Sequence, residues 1–292
     1  MRIITSIVLS FYSVILLGQT FTESDVKKLA NQINQEAKGL DIGNGITARG
    51  CWSVGRTLIY QYDVPPYWEP IDNIKEEIIA NFKTGGIAKT YFLYDINVDF
   101  YYYKGSSLIK KVSVKSNEFS TYNYELGEYL SIKDHIKSKE VNLKLKVPKG
   151  WEVKEGDRPN IIKKFTKDGN TYLILIKDNV TFISRNESRE LLSDESFVND
   201  VVEEASSFMK NPEIIDKSVV TIDRYPAITF KVRGNLEQSG ITIPMIIKIW
   251  IVIYEDKFIY LQSAGVDEAE FKALEQLYSL ITNSVIFPDQ YN

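Results

Sequence analysis

The sequence predicts a two-domain α+β protein, and three observations lead there. The chain is 292 residues with 44% hydrophobic and 25% charged residues, an ordinary globular composition. At roughly 150 residues per domain, that length suits two domains. Apolar residues recur with period two in paired runs around tight turns, and on single helical faces between those pairs.

The N-terminus is read first as an export signal. Arg2 supplies a positive start, Ile3–Leu17 is almost wholly apolar, and Gly18 before Gln19 is a plausible cleavage point. The apolar run is short for a membrane span. No cysteine follows it closely, so Cys51 is not a lipidated N-terminus. Residues 1–18 are therefore expected to be a signal peptide, leaving an exported chain, periplasmic or secreted, with no integral membrane span. Loss of Arg2 moves the net charge from −4 to −5, which offers no general attraction to nucleic acid.

The expected first domain, 19–130, opens with a helix. Thr22 and Asp25 have capping-box spacing, and Val26, Leu29, Ala30, Ile33 and Ala37 share a face. Gly39 and Gly43-Asn44-Gly45 stop it. Ile46–Ser53 and Thr57–Val64 form a hairpin around Val54-Gly55-Arg56. After Pro65-Pro66 and Pro70, Ile71–Lys83 reads as a helix closed by Gly85-Gly86. A second hairpin joins Asn97–Tyr103 to Leu108–Lys115 across Lys104-Gly105-Ser106. The order is α-β-β-α-β-β with an antiparallel sheet. Asn117–Tyr124 is expected to add a last strand, and the charged run Ser131–Glu140 is taken as the linker.

The expected second domain, 141–292, begins with the alternating run Val141–Val147, followed by Pro148-Lys149-Gly150-Trp151. Ile161–Phe165 and Tyr172–Ile176 pair across a Gly-containing turn. Asp194–Lys210 is an amphipathic helix with Phe197, Val201, Ala205 and Phe208 inward, ended by Asn211-Pro212. Strands at Val219–Ile222, Ala227–Val232 and Ile241–Tyr254 follow. The odd-numbered positions from Ile241 to Ile253 are isoleucine or methionine on one side of a core strand. Glu255-Asp256-Lys257 turns into Phe258–Ser263, and a last helix from Asp267 presents Phe271, Leu274, Tyr278 and Ile281.

This second order of elements resembles the PsbP-like superfamily over roughly 141–287. The resemblance rests on Pro148-Lys149-Gly150-Trp151 after a strand, the Tyr225-Pro226 turn, the long hairpin, and Ser284-Val285-Ile286-Phe287 after the final helix. That group includes the photosystem II protein PsbP and envelope lipoproteins of the DcrB and LpqN type. The resemblance implies an α/β/α sandwich around an antiparallel sheet, a role in binding proteins or stabilising complexes, and no shared catalytic set.

The residues offer little chemistry. One His and one Cys make a zinc site unfavourable. A Cys51–His135 dyad has no flanking signature, and a buried thiol with a solvated imidazole is the simpler reading. There is no G-x-S-x-G, P-loop or G-x-G-x-x-G. Carboxylates at Glu187/Glu190, Glu203-Glu204 and Asp267/Glu268/Glu270 sit at expected helix starts or outer faces, where acids are stabilising. No cofactor is expected, and a non-enzymatic role is favoured over an enzymatic one. The aromatics are more suggestive. Trp68, Tyr101 and Tyr103 are the candidate binding residues, because half-wet Tyr and Trp suit interfaces. Tyr is also a good strand former with one face in the core, which explains the same residues structurally. The expected function is binding or assembly support in the bacterial envelope, with a protein partner. The alternatives are a carboxylate-dependent envelope hydrolase and a glycan- or lipid-binding module.

Overall fold

The computed structural model describes residues 21–238 and 240–291, and the signal-peptide expectation at 1–18 lies outside them. The chain divides into two compact units, the first ending at Tyr122 and the second beginning at Asn123.

In the first unit, helix α1 (Glu23–Ala37) starts at a reciprocal cap. The Thr22 side chain accepts from the Asp25 N–H, and the Asp25 carboxylate accepts the Thr22 N–H at 3.0 Å. Its stripe of Val26, Ala30, Ile33 and Ala37 is buried. Strands β1 (Thr47–Val54) and β2 (Thr57–Asp63) form the expected hairpin. Helices α2 (Ile74–Thr84) and α3 (Ala88–Leu93) follow, then β3 (Asn97–Lys104) and β4 (Ser107–Val114). The sheet order is β1-β2-β3-β4.

Both hairpins are antiparallel, but β2 and β3 run parallel. The first sheet is therefore mixed within the α+β class. The connection between them carries α2 and α3, and a crossover of that kind permits parallel pairing. Asn117–Tyr124 is no strand. Ser116–Phe119 is a short 3₁₀ turn whose Phe119 is fully buried, stacked on Phe82 at 5.0 Å.

One close approach positions α1. At the bulge between Ala48 and Gly50, a Cβ on Gly50 would lie 2.6 Å from Asn34 Oδ1. That oxygen accepts the Cys51 N–H at 3.1 Å. Glycine lets the helix side chain reach and satisfy the strand backbone.

The second unit begins with β5 (Leu126–Ile132), which pairs antiparallel with β6 (Leu143–Pro148). The boundary between units therefore precedes 131–140, because backbone pairing draws Ser131 and Ile132 into the second unit. Strands β7 (Glu152–Glu155), β8 (Ile161–Lys167) and β9 (Asn170–Ile183) lead to helices α4 (Arg185–Leu191) and α5 (Glu195–Ser206). Strands β10 (Lys210–Ile222), β11 (Tyr225–Gln238) and β12 (Ile241–Gly265) precede helix α6 (Glu268–Asn283). The main sheet runs β10-β11-β12-β9-β8-β7, with antiparallel neighbours throughout.

Strand β12 doubles back on itself. Fully extended, Lys248 and Ser263 would be about 50 Å apart, yet the Ser263 hydroxyl donates to the Lys248 carbonyl at 3.3 Å. Glu255, at φ 56°, lies midway between them. Residues 241–252 pair with β11, and Glu255–Ala264 pair with β9. The expected turn at Glu255-Asp256-Lys257 is present.

The two faces of this sheet carry different helices. Ile247, Ile249, Ile251 and Ile253 share a core with Val198, Val202 and Ala205 of α5. On the other face, Tyr278 of α6 packs against Trp151, Tyr172 and Phe271, with Trp250 against Tyr172. The result is the expected α/β/α sandwich. The α5 stripe differs in phase from expectation: Val198, Val202, Ala205 and Ser206 are buried, while Phe208 is 49% exposed. The helix ends at Ser206, and Pro212 lies within edge strand β10.

Candidate binding face

The first sheet has one covered side and one bare side. Leu58, Tyr60 and Tyr62 of β2 point into the core with Val98, Phe100 and Tyr102 of β3. The buried residues of α1, α2 and α3 all belong to that core. Tyr60 and Tyr91 satisfy each other there through hydroxyls 2.9 Å apart, and burial raises both phenols well above their ordinary range.

Period two sends the alternate residues to the bare side. Register places Trp52 beside Ile59, Ile59 beside Asp99, and Asp99 beside Ser113. The next row sets Gln61 beside Tyr101 and Tyr101 beside Lys111, and then Asp63 stands beside Tyr103. Trp52 is 45% exposed, and Gln61, Tyr101 and Tyr103 are half-buried, while Ile59 is buried even on this helix-free side.

Polar groups on this face bind one another. Arg49 contacts the Asp63 carboxylate at 2.9 Å and lies over the Tyr103 ring, 4.3 Å from its centre. Lys111 contacts Asp99 at 2.8 Å and sits 5.2 Å from the Tyr101 ring centre. These contacts raise the Lys111 ammonium above its ordinary value, the Asp99 hydrogen bond foremost. Gln61 donates to the Tyr103 hydroxyl at 3.0 Å. Such mutual bonding holds the side chains in place before any partner arrives, which lowers the entropy cost of binding.

The three candidate residues therefore separate. Tyr101 and Tyr103 lie on the bare face. Trp68 lies on the core side, stacked on Tyr102 at 5.1 Å, and packs against the helical core. Sequence reasoning missed Arg49, Trp52 and Lys111. Alternation within β1 and β4 was the available signal, since Trp52 has the opposite parity to buried Cys51.

Four of the remaining candidate groups have structural roles. Cys51 is buried in β1, and burial pushes its thiol up to about 12. Both His135 nitrogens are engaged: Nδ1 accepts the Lys137 N–H at 3.1 Å, and Nε2 lies 3.0 Å from Glu155. Glu187 closes the capping box of α4, and its hydrogen bonds from Ser184 lower its pKa. Asp267 caps α6. Among the described residues, no group of three or more His, Cys, Asp or Glu is arranged to hold a metal ion, and no helix is long and apolar enough to cross a membrane.

The second unit carries a concavity of about 620 Å³ between α5 and β10, lined by residues that include Val202, Ser206, Ile214 and Ile215.

No family model matches the chain, and no curated protein matches it. Solved structures do show likeness. Cyanobacterial PsbP from Synechocystis sp. PCC 6803 is 13% identical, covering 57% of this chain and 97% of its own, with a TM-score of 0.37. The Saccharomyces cerevisiae Ran-binding protein Mog1p is 10% identical, covering 56% and 97%, at 0.36. LpqN of Mycobacterium tuberculosis, described as involved in cell envelope biogenesis, is 10% identical, covering 54% and 89%, at 0.34. Each of these matches covers a little over half of this chain.

Proposed function

We propose that this chain is an exported, non-enzymatic binding or assembly-support protein of the bacterial envelope that takes a protein partner on the bare face of its first sheet. The observation that carries this reading is the composition and order of that face. Trp52, Tyr101, Tyr103 and Arg49 are the residue types that dominate protein interfaces, and Arg49, Lys111 and the Tyr103 hydroxyl are already held in pairs with Asp63, Asp99 and Gln61. The same geometry speaks against a glycan platform. Sugars stack on free aromatic faces, whereas Arg49 and Lys111 each already cover a tyrosine ring. Net charge is modest, so affinity would come from apolar and aromatic contact more than from steering.

The test uses the tagged chain 19–292 as bait in its own envelope extract, with bound proteins identified by mass spectrometry. A protein retained by the native chain and lost with Trp52→Ala plus Tyr103→Ala, in a chain whose circular dichroism is unchanged, supports the reading. Equal retention by the variant, or no retained protein, refutes it. N-terminal sequencing of the exported chain tests the signal: a start at Gln19 is expected.

A further inference from the structure

We propose that the second unit pairs with a second copy of itself about a two-fold axis, each copy seating the outward carboxylates of its α5 on the lysine-bearing part of the other's main sheet, over β7, β8 and β9. The inference lies in the second unit and is independent of the bare face in the first.

Helix α5 covers only part of its side of the main sheet. Tyr260 of β12 belongs to the core beneath α5, with Leu175 of β9 at its margin, and among the described residues that core includes none from β7 or β8. Register carries the same side outward. Tyr260 stands beside Leu175, Gln262 beside Leu173, Leu173 beside Lys164, and Lys164 beside Lys154. The alternate residues Phe165 and Tyr172 face α6 with Tyr278. Leu173, Leu175, Gln262 and Lys164 are half-buried. Three strands at ~4.8 Å spacing give a floor about 10 Å wide, close to the diameter of one helix.

That floor is positive. Lys154 and Lys164 are directly opposed, an arrangement in which like charges repel. Lys154 reaches Glu152 at 2.8 Å, but Lys164 has no ion-pair partner among the described residues. The like pair on the α6 side, Lys231 and Lys248, receives the Glu275 carboxylate from α6. Nothing equivalent among the described residues reaches Lys164.

The helix beside the floor is negative. Ser196, Asp200, Glu203, Glu204 and Ser207 are exposed, and helical geometry sets them in one outward stripe, opposite buried Val198, Val202 and Ala205. Helix α5 holds no basic residue, and Asp200, Glu203 and Glu204 have no ion-pair partner among the described residues. Glu204 stands toward the floor: burial, and then the Glu204 charge, push the Tyr260 phenol up to about 12. One side of the sheet thus carries a raised acidic helix next to a level basic floor. A two-fold axis sets each helix on the other copy's floor, so both contacts form at once and the assembly closes. An unrelated acidic segment would satisfy the floor and leave the α5 carboxylates unpaired, so the surface fits a second copy better.

The experiment is sedimentation velocity of chain 19–292 from low to high micromolar concentration, in low and in high salt. A reversible dimer that weakens as salt rises is expected. Two variants reverse one side each: Glu203→Lys with Glu204→Lys on the helix, and Lys154→Glu with Lys164→Glu on the floor. Each should raise the dissociation constant about tenfold or more. Mixed, the two variants should form a one-to-one heterodimer, because each helix then meets a floor of opposite charge. Trp52→Ala with Tyr103→Ala should leave the dimer intact. A monomer at every concentration overturns the proposal. So does a dimer retained by both variants, or a mixture of the two that stays monomeric. A dimer lost with the Trp52 and Tyr103 substitutions also overturns it, assigning the contact to the first unit.

Discussion

Replacing Glu275 with Gln should expose a conflict that the second unit resolves with one carboxylate. Lys231 of β11 and Lys248 of β12 are directly opposed, and like charges in that position repel. Glu275 of α6 lies between them, 2.8 Å from the Lys248 ammonium and 3.4 Å from that of Lys231. The three side chains are 16%, 18% and 24% exposed, so solvent screens them only in part. Burial alone would raise the Glu275 pKa; the hydrogen bond and charge of Lys248, with Lys231, outweigh it and lower the value. Asp216 still reaches Lys231 at 3.2 Å, but it is 51% exposed and screened.

Glu275→Gln keeps the shape and removes the charge. Losing two charge-assisted contacts and leaving two facing ammonium groups should cost about 2 kcal/mol, after allowance for partial exposure. For a unit of this size that is a fall in Tm of about 4–8 °C. Calorimetry at pH 7 checks it, and adding Lys248→Met should recover more than half. The Glu275 contribution is complete above the ordinary carboxylate range near 4.3 and is lost as pH falls through its lower folded value. The gap between native and variant Tm should therefore close in acid. A loss under about 0.5 kcal/mol, or one unchanged at low pH, would refute the reasoning.

Other outcomes follow from the first unit. Tyr102→Ala, in the core between Trp68 and Tyr62, should cost about 3–5 kcal/mol. Trp52→Ala on the bare face should cost under about 1 kcal/mol, and denaturant midpoints separate the two. Gly50→Ala should destabilise by about 1–3 kcal/mol, because its Cβ meets Asn34 Oδ1; thermal unfolding measures the loss. Cys51, its thiol pushed up to about 12 by burial, should resist a thiol reagent at pH 8 in the native chain and react in denaturant.

Much of the fold was legible because it is local. The capping box at Thr22, the turns at Gly55 and Gly105, and the reversal at Glu255 are short-range consequences of residue type. Period two also separated each strand into two sides: Ile247, Ile249, Ile251 and Ile253 of β12 line one core, while Ile241, at the strand's start, is 62% exposed. The candidate site was less legible. Tyr101 and Tyr103 reached the bare face, but Trp68 did not, since a loop residue has no parity to read and its stacking on Tyr102 depends on the chain's return path.

Alone, the sequence determined the class, the longer elements and most of the places where the chain turns, for these follow from backbone geometry and local burial pattern, but not α3, α4, β5 or β7. Tertiary structure decided which side of each sheet is covered, that β2 and β3 run parallel, that Phe119 plugs a core as a short turn, and that β10 is an edge. Those outcomes depend on contacts between residues distant in sequence. The free energy of such contacts comes from surfaces that exist only once the elements have packed.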